Sequence, residues 1–469
     1  MKLFIVLLTG AFMLATGTSD VFAKKKEKVQ TEAKSDTVRT ASKKRNTQYP
    51  RLFKNKRVVT KKGLITIHKI DDKLYFEFPK SLLGREFLMG SSISATSDNT
   101  SGLVGQTMTT PLHIRFAIQE DQVYMQNVTP VSRMDVYSNQ SDISKAVAKS
   151  NITPDMESFK IAAYNMDSTA VVFEVTKFFL ADNKRLPLFD QNSSSLEDEK
   201  YGQLELKAVL KKNLSSIRNF YVFDDNLEIN LDMSFYQSLL ASKKEVRGGN
   251  VRVKAVYSML LLPEETMVWR LGDPRLGYTF TKKQKISTEK DGTAFSYLQH
   301  KWNLLPADEE AYRRGDLVAP RKPVVFYIDS DFPEAWKKAI KEGVNWWNEA
   351  FKMAGFKDAV QTADFPANDT TFYAGNLKYS CIRYVPVNLS KTQSKVWVDP
   401  RSGEIINGTI FVGHDIAKTI ASQRFVQTAQ VDERMRGIQL SEEVLLEGIR
   451  LYVAREVGHC LGLADNASA

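Results

Sequence analysis

The sequence predicts an α+β protein in which a long antiparallel, β-rich region precedes an α/β domain. Three observations carry this. From Tyr49 to Lys301 the chain is a succession of short segments rich in Val, Ile, Phe and Tyr, several alternating apolar with polar residues as half-buried strands do. Around Leu304 to Lys322, Pro, Gly and charged residues gather as they do in a linker. Beyond it, apolar residues recur at helical spacing between strand-like runs, so helices and strands are interleaved.

The first residues read as a leader. Lys2 supplies a positive start, Leu3 to Ala15 an apolar run, and Val21-Phe22-Ala23 small residues at cleavage positions, so residues 1–23 read as a secretory signal peptide. Export to the periplasm, the outer surface or the medium is expected. An uncleaved anchor is the alternative, but the run falls short of the ~20 residues that a spanning helix needs, so no stable membrane span is expected. Residues 24–48 form a polar, basic tract without apolar periodicity, read as a disordered linker. Between residues 24 and 62 lie fifteen Lys or Arg against three Asp or Glu, which accounts for the chain's net charge of +10. The remainder is near neutral, so nucleic acid is not an expected partner.

Two β-rich domains are expected next. Residues 49–95 carry GLITIHKI and KLYFEFP, and residues 96–303 carry PLHIRFAI, QVYMQNV, AVVFEVTKFFL, LEINLDMSF and VRVKAVYSMLLL. Turn formers separate them at Asp71-Asp72, Glu120-Asp121, Asn165 to Ser168 and Asp225-Asn226. A short helix is expected near Ile143 to Ser150.

The last domain spans 323–469, after a linker at 304–322. VVFYIDS is a strand. A helix follows, with Trp336, Ile340, Val344, Trp347 and Phe351 on one face, Pro333 at its start and Gly355 at its stop. That spacing makes the aromatic residues core rather than a carbohydrate platform. SCIRYVPV, SKVWVD and GTIFVG are strands, and Asp399 to Gly403 has the composition of a tight turn. From Ser441 a helix runs to the end of the domain. Leu446, Ile449, Val453, Val457 and Cys460 form its buried stripe; Gly448, Tyr452, Arg455 and His459 form a second. Cys381 and Cys460 are the only cysteines, and pairing or two buried thiols are both open.

Positions 455 and 459 lie one turn apart on one face, the spacing with which two imidazoles grip a zinc ion while a Glu after the first acts as general base. Glu456 and His459 stand at the base and second-ligand positions, and Gly462 lets the chain turn back so that residue 465 can approach. The stretch LYVAREVGHCLGLADN resembles the extended HExxHxxGxxH motif of metzincin-like peptidases, and most closely the zinc-dependent metallopeptidases exported by Bacteroidetes. GLITIHKIDDKLYFEFPKSLLGREFLM, GDPRLGYTF, VNWWNEAFKMAGF and VWVDPRSGEIINGTIFVG are similar to further pieces of that family, so nearly the whole mature chain is covered.

The resemblance implies a metzincin-like peptidase domain at 323–469, a Zn²⁺ cofactor and a catalytic role for Glu456. It also implies metal ligands at His459 and Asp465, and a peptide or protein substrate in an edge-strand cleft near Gly408 to Gly413. The sequence departs from the pattern at the first ligand, which is Arg455: a guanidinium offers donors only and has no lone pair for a metal. Asp465 stands where the third histidine would be, and a carboxylate can still bind zinc. Of the other histidines, His68, His113 and His300 lie in the β-rich region, and His414 alone is near enough in sequence to stand in. With its end at Ala469 the chain is expected to be truncated before the family's Met-turn. Three readings follow: a zinc endopeptidase impaired at its first ligand, a non-catalytic relative that binds peptides by strand addition, and a fragment without function of its own.

Overall fold

The computed structural model describes residues 48–466, apart from 100–101, 106, 129–133, 137–144, 147–148, 190–195, 199, 201, 287–293, 370–371, 388–391 and 438. The expected signal peptide and all of the basic linker except Gln48 lie outside the described residues. So does part of the expected helix at 143–150, whose described residues 145–146 and 149–150 are helical.

The β-rich half contains β1 (Val58–Lys62), β2 (Thr66–Ile70), β3 (Lys73–Pro79), β4 (Glu86–Thr96), β5 (Leu112–Gln119), β6 (Gln122–Asn127), β7 (Met134–Val136), β8 (Asp155–Tyr164), β9 (Ala170–Glu174), β10 (Leu196–Asp198), β11 (Gly202–Leu210), β12 (Ser216–Val222), β13 (Asn226–Ala241), β14 (Lys244–Leu261), β15 (Phe280–Ile286) and β16 (Ala294–Gln299). Two short helices, α1 (Tyr49–Phe53) and α2 (Thr176–Phe179), accompany them. Thirteen strands form one antiparallel sheet in the order β1-β2-β3-β9-β8-β6-β5-β4-β14-β13-β11-β10, with β12 also on β13; β16, β15 and β7 form a separate small sheet.

Several of its hairpins turn through a residue in the left-handed backbone region. Asp71 (φ 53°) joins β2 to β3, Glu120 (φ 54°) joins β5 to β6, and Ser168 (φ 61°) lies between β8 and β9. The large sheet curls around one core in which Phe76, Phe78, Phe87, Phe116, Phe173 and Tyr257 are fully buried. Its two ends approach closely enough for the Leu64 N–H to donate to the Phe223 carbonyl at 2.7 Å. Residues 49–95 and 96–303 therefore do not fold around separate cores: β4, which straddles the expected boundary, pairs with both β5 and β14.

The segment 304–322, expected as a linker, is folded. It contains α3 (Glu309–Arg314), which Asp308 caps by accepting from the Ala311 N–H and Gly315 ends at φ 91°. Ala311 and Val318 pack with Phe356 and Ala359 of the following domain.

That domain is a five-stranded sheet of β17 (Val324–Ile328), β18 (Val360–Asp364), β19 (Ser380–Val385), β20 (Thr392–Val398) and β21 (Ile405–Gly413), in the order β18-β17-β19-β21-β20. The first four in that order are parallel; β20 alone is antiparallel, because a hairpin joins it to β21. Its turn is built by buried Asp399, whose carbonyl accepts from the Gly403 N–H at 2.8 Å while its carboxylate pairs with Arg401. The residues Gly408 to Gly413, expected on an edge, lie on interior β21; among the described residues the edges of this sheet are β18 and β20.

On one sheet face lie α4 (Glu334–Asn345), α5 (Trp347–Met353), α6 (Ile416–Thr428) and α7 (Glu442–Cys460). Trp336, Ile340, Val344, Ile449, Val453, Val457 and Cys460 join Phe326, Ile382 and Ile410 in a second core, each large side chain contributing about 1.5–3 kcal/mol by leaving water. Both cysteines are buried free thiols. The opposite sheet face rests on the first sheet, where Trp397 is fully buried with Leu88, Leu260 and Leu262. Among the described residues no helix is long and apolar enough to cross a membrane.

Candidate functional site

The motif lies on α7, which Ser441 caps by accepting from the Val444 N–H at 3.4 Å. Two glycines set where this helix can go. A Cβ on Gly448 would stand 2.4 Å from Ile420 of α6, and one on Gly458 would stand 2.7 Å from Trp347, whose indole N–H donates to the Ala454 carbonyl. The helix ends in a Schellman turn: the Leu463 N–H donates to the Gly458 carbonyl at 3.0 Å and the Gly462 N–H to that of His459 at 3.1 Å. Gly462 sits at φ 95°, where a Cβ would be 2.3 Å from the His300 carbonyl oxygen.

From this turn the chain doubles back as the glycine at 462 suggests. It is held there by a partner from the β-rich half. The Thr279 N–H donates to the Gly462 carbonyl at 2.8 Å, and the Ala464 N–H to that of Gly277 at 2.9 Å. The run GDPRLGYTF thus supplies a backbone strut to the motif's end. His300 lies behind it, its ring nitrogens within 3.0 Å and 2.9 Å of the Thr279 and Thr281 hydroxyls, and burial pulls its pKa down to about 4.

All four expected site positions come together. Arg455 donates through Nε to Asp465 Oδ1 at 3.1 Å and through Nη2 to Oδ2 at 2.7 Å. Its Nη1 donates to Glu456 Oε1 at 2.9 Å. The same Glu456 oxygen accepts from the Thr392 hydroxyl, at 3.0 Å, on the edge strand β20. Glu456 is buried, Arg455 half exposed and Asp465 exposed. The bidentate hydrogen bonds raise the pKa of Arg455 and lower that of Asp465.

His459 donates from Nδ1 to the Leu463 carbonyl at 2.9 Å, since a carbonyl can only accept, and this hydrogen bond orients the ring with Nε2 outward. That is how a metal-ligating histidine is commonly oriented. Its Nε2 faces Asp465 Oδ1 at 3.7 Å. Asp465, expected as a carboxylate donor to a metal, is instead the ion-pair partner of Arg455, because the guanidinium beside it can only donate. Glu456, expected as the general base, has an oxygen committed to Arg455 and Thr392. His414 does not complete a donor set: its Nδ1 lies 2.6 Å from the Tyr384 hydroxyl and its ring stacks on Trp336. Among the described residues no three His, Cys, Asp or Glu side chains are grouped to hold a metal.

The residues present therefore do not fit the zinc that the resemblance implies. A tetrahedral site asks for three protein lone pairs converging with one open position, whereas here a cation stands among the donors. Sequence reasoning missed Thr392, whose strand precedes α7 by some fifty residues and which carries no motif of its own. Beside the site a cavity of ≈ 660 Å³ runs between α6 and α7, lined by Thr392, Gln423, Leu451, Tyr452 and Arg455 among others.

Family models of two domains of unknown function match this chain, DUF5118 over residues 47–96 and DUF5117 over residues 105–307. No curated protein and no solved structure matches it. The first family match spans α1 to β4, and the second ends just short of α3.

Proposed function

We propose that this chain is an exported, non-catalytic relative of the zinc metallopeptidases it resembles, with an internal ion pair in place of the metal and a sheet edge that binds extended peptides. The observation that carries the reading is the Arg455 guanidinium, bound to both Asp465 oxygens and to Glu456. A guanidinium keeps its charge at any pH the protein meets, so it holds both carboxylates and offsets one of their two charges while offering nothing for a metal to bind.

The peptide-binding part rests on β20. It ends the order of the five-stranded sheet, and an unpaired edge presents backbone donors and acceptors to which an extended segment can add. Thr392 at the start of β20 reaches Glu456, so a peptide on this edge would lie beside the motif helix. Export rests on the reading of residues 1–23 as a secretory leader.

The test uses the full chain. Elemental analysis should find no stoichiometric zinc, casein should remain uncleaved, and an extended peptide library should yield binders whose affinity a chelator leaves unchanged. Arg455→His with Asp465→His should raise zinc retention. Chelator-sensitive casein cleavage by the unaltered chain would sink the proposal.

A further inference from the structure

Away from the motif, a cavity of ≈ 500 Å³ lies between the two large sheets. Its floor is the outer face of β4, β13 and β14, and its roof is the face of β19, β20 and β21 turned away from α7. Strand alternation explains its lining: Lys395 and Trp397, Thr409 and Phe411, and Glu228 and Asn230 are pairs two residues apart, each on one face of one strand. The volume is that of a small-molecule site, and its walls are aromatic with a few charged groups.

The charges do not balance. Glu228 is buried, and its Oε1 accepts from the Tyr373 hydroxyl at 2.6 Å and from the Asn230 amide at 2.8 Å. Against this single carboxylate stand Lys395, which lies over the Trp397 ring at 5.0 Å, and Arg383, which lies over the Phe411 ring at 5.7 Å. Among the described residues neither cation makes an ion pair. Burial pulls the Lys395 pKa down to about 8, and the Glu228 charge offsets only part of that effect.

We infer that this cavity binds a small organic carboxylate with an aromatic or apolar body, its anion received by Lys395 and Arg383 and its body by Phe372 and Phe411. An anion there compensates the buried ammonium, and the cationic groups already lie on the aromatic walls that would flank it. The inference stands apart from the peptide-binding reading, since none of these residues belongs to the motif.

Phenylacetate is the probe, with phenylacetamide as the uncharged control and inorganic phosphate as the control without a body, titrated calorimetrically into the full chain. Saturable binding of phenylacetate at millimolar concentration is expected, with both controls at least about tenfold weaker. Lys395→Met and Arg383→Met should each weaken phenylacetate about tenfold, Lys395→Arg should retain it, and Arg455→Met should leave it unchanged. Lys395→Met removes a buried charge, so its fold should survive, and a thermal melt verifies that loss of binding is not loss of structure. Equal binding of acid and amide, an unaffected Lys395→Met variant, or no saturable binding would each overturn the inference.

Discussion

Arg455 and Asp465 are joined by two parallel hydrogen bonds, of 3.1 and 2.7 Å, that tie the returning chain to the helix it has just left. The third guanidinium bond goes inward to Glu456, which is buried and has Thr392 as its other partner at that oxygen. Removing the arginine therefore strands a buried carboxylate. Arg455→Met should lower the unfolding free energy by roughly 1–3 kcal/mol, read from the urea midpoint at constant slope. Adding Glu456→Gln should recover most of that loss, because an amide tolerates the same site without a counter-charge. If the single substitution leaves the midpoint unmoved, the guanidinium does not support the helix in this way.

The turn after that helix makes a second prediction. Gly462→Ala must both hold a left-handed backbone and place its Cβ 2.3 Å from the His300 carbonyl oxygen. Gly315→Ala faces only the first difficulty, since nothing lies within 4 Å of its added Cβ. The Gly315 change should cost about 1 kcal/mol. The Gly462 change should cost clearly more, about 2–4 kcal/mol, and should loosen residues 462–464 from 277–279. Thermal melts of the two variants and hydrogen exchange at Thr279 and Ala464 make the comparison.

How much of this the sequence announced depends on the range of the interaction. The amphipathic stripe of α7 and the hairpin turns at Asp71 and Glu120 are local, and periodicity or turn chemistry displays them directly. The buried partners of Trp336 and Ile340 could be expected for the same reason. Gly408 to Gly413 lies in the sheet's interior and not at the expected edge, because strand composition does not say which neighbour a strand acquires: β21 is flanked on both sides only once β19 and β20 have docked. Residues 304–322 look like a linker because charge and proline dominate them, yet Ala311 and Val318 are enough to seat the segment on Phe356. Thr392 and the 277–279 strut were invisible, since nothing in a lone hydroxyl or a GYT triplet points to a partner so distant in sequence.

Acid should loosen the joint between the two halves. Glu86 on β4 lies 2.9 Å from His113 Nε2 and 3.6 Å from Arg401, which also donates to the Pro263 carbonyl. Burial pushes the Glu86 carboxyl up, but the His113 hydrogen bond and the Arg401 charge outweigh it and leave the pKa below its ordinary value. A carboxyl depressed on folding stabilises the native state above its unfolded pKa, near about 4.3, and that contribution is lost as pH falls through the lower folded value. Glu86→Gln should lower stability at neutral pH by about 1–2 kcal/mol and flatten this part of the acid limb. Urea titrations from pH 7 to pH 3 of the two proteins measure the difference in slope.

Lys395 should give a dependence of the same sign at the alkaline end, but from a charge that costs stability rather than one that supplies it. Its ammonium is faced by Glu228 from β13, by Arg383 from β19 and by the Trp397 ring of its own strand, and burial dominates, bringing its pKa from 10.5 to about 8. The folded protein thus holds the proton less tightly than the unfolded chain does. Between about pH 8 and 10.5 the unfolded state binds more protons, so this lysine makes stability rise with pH across that window; below it the cost of the buried charge is fully present. Lys395→Met removes the cost and should stabilise the chain at pH 7 by about 2 kcal/mol, with the gain shrinking toward pH 10. Saturating phenylacetate, if it binds as inferred, should stabilise the unaltered chain at pH 7 and progressively less as the ammonium deprotonates, and should stabilise the methionine variant less, by about 1.4 kcal/mol for a tenfold weaker site. A constant difference between the two proteins from pH 7 to pH 10 would show that the ammonium at 395 is not held at a cost, and with it would go the electrostatic reason for an anion in the cavity.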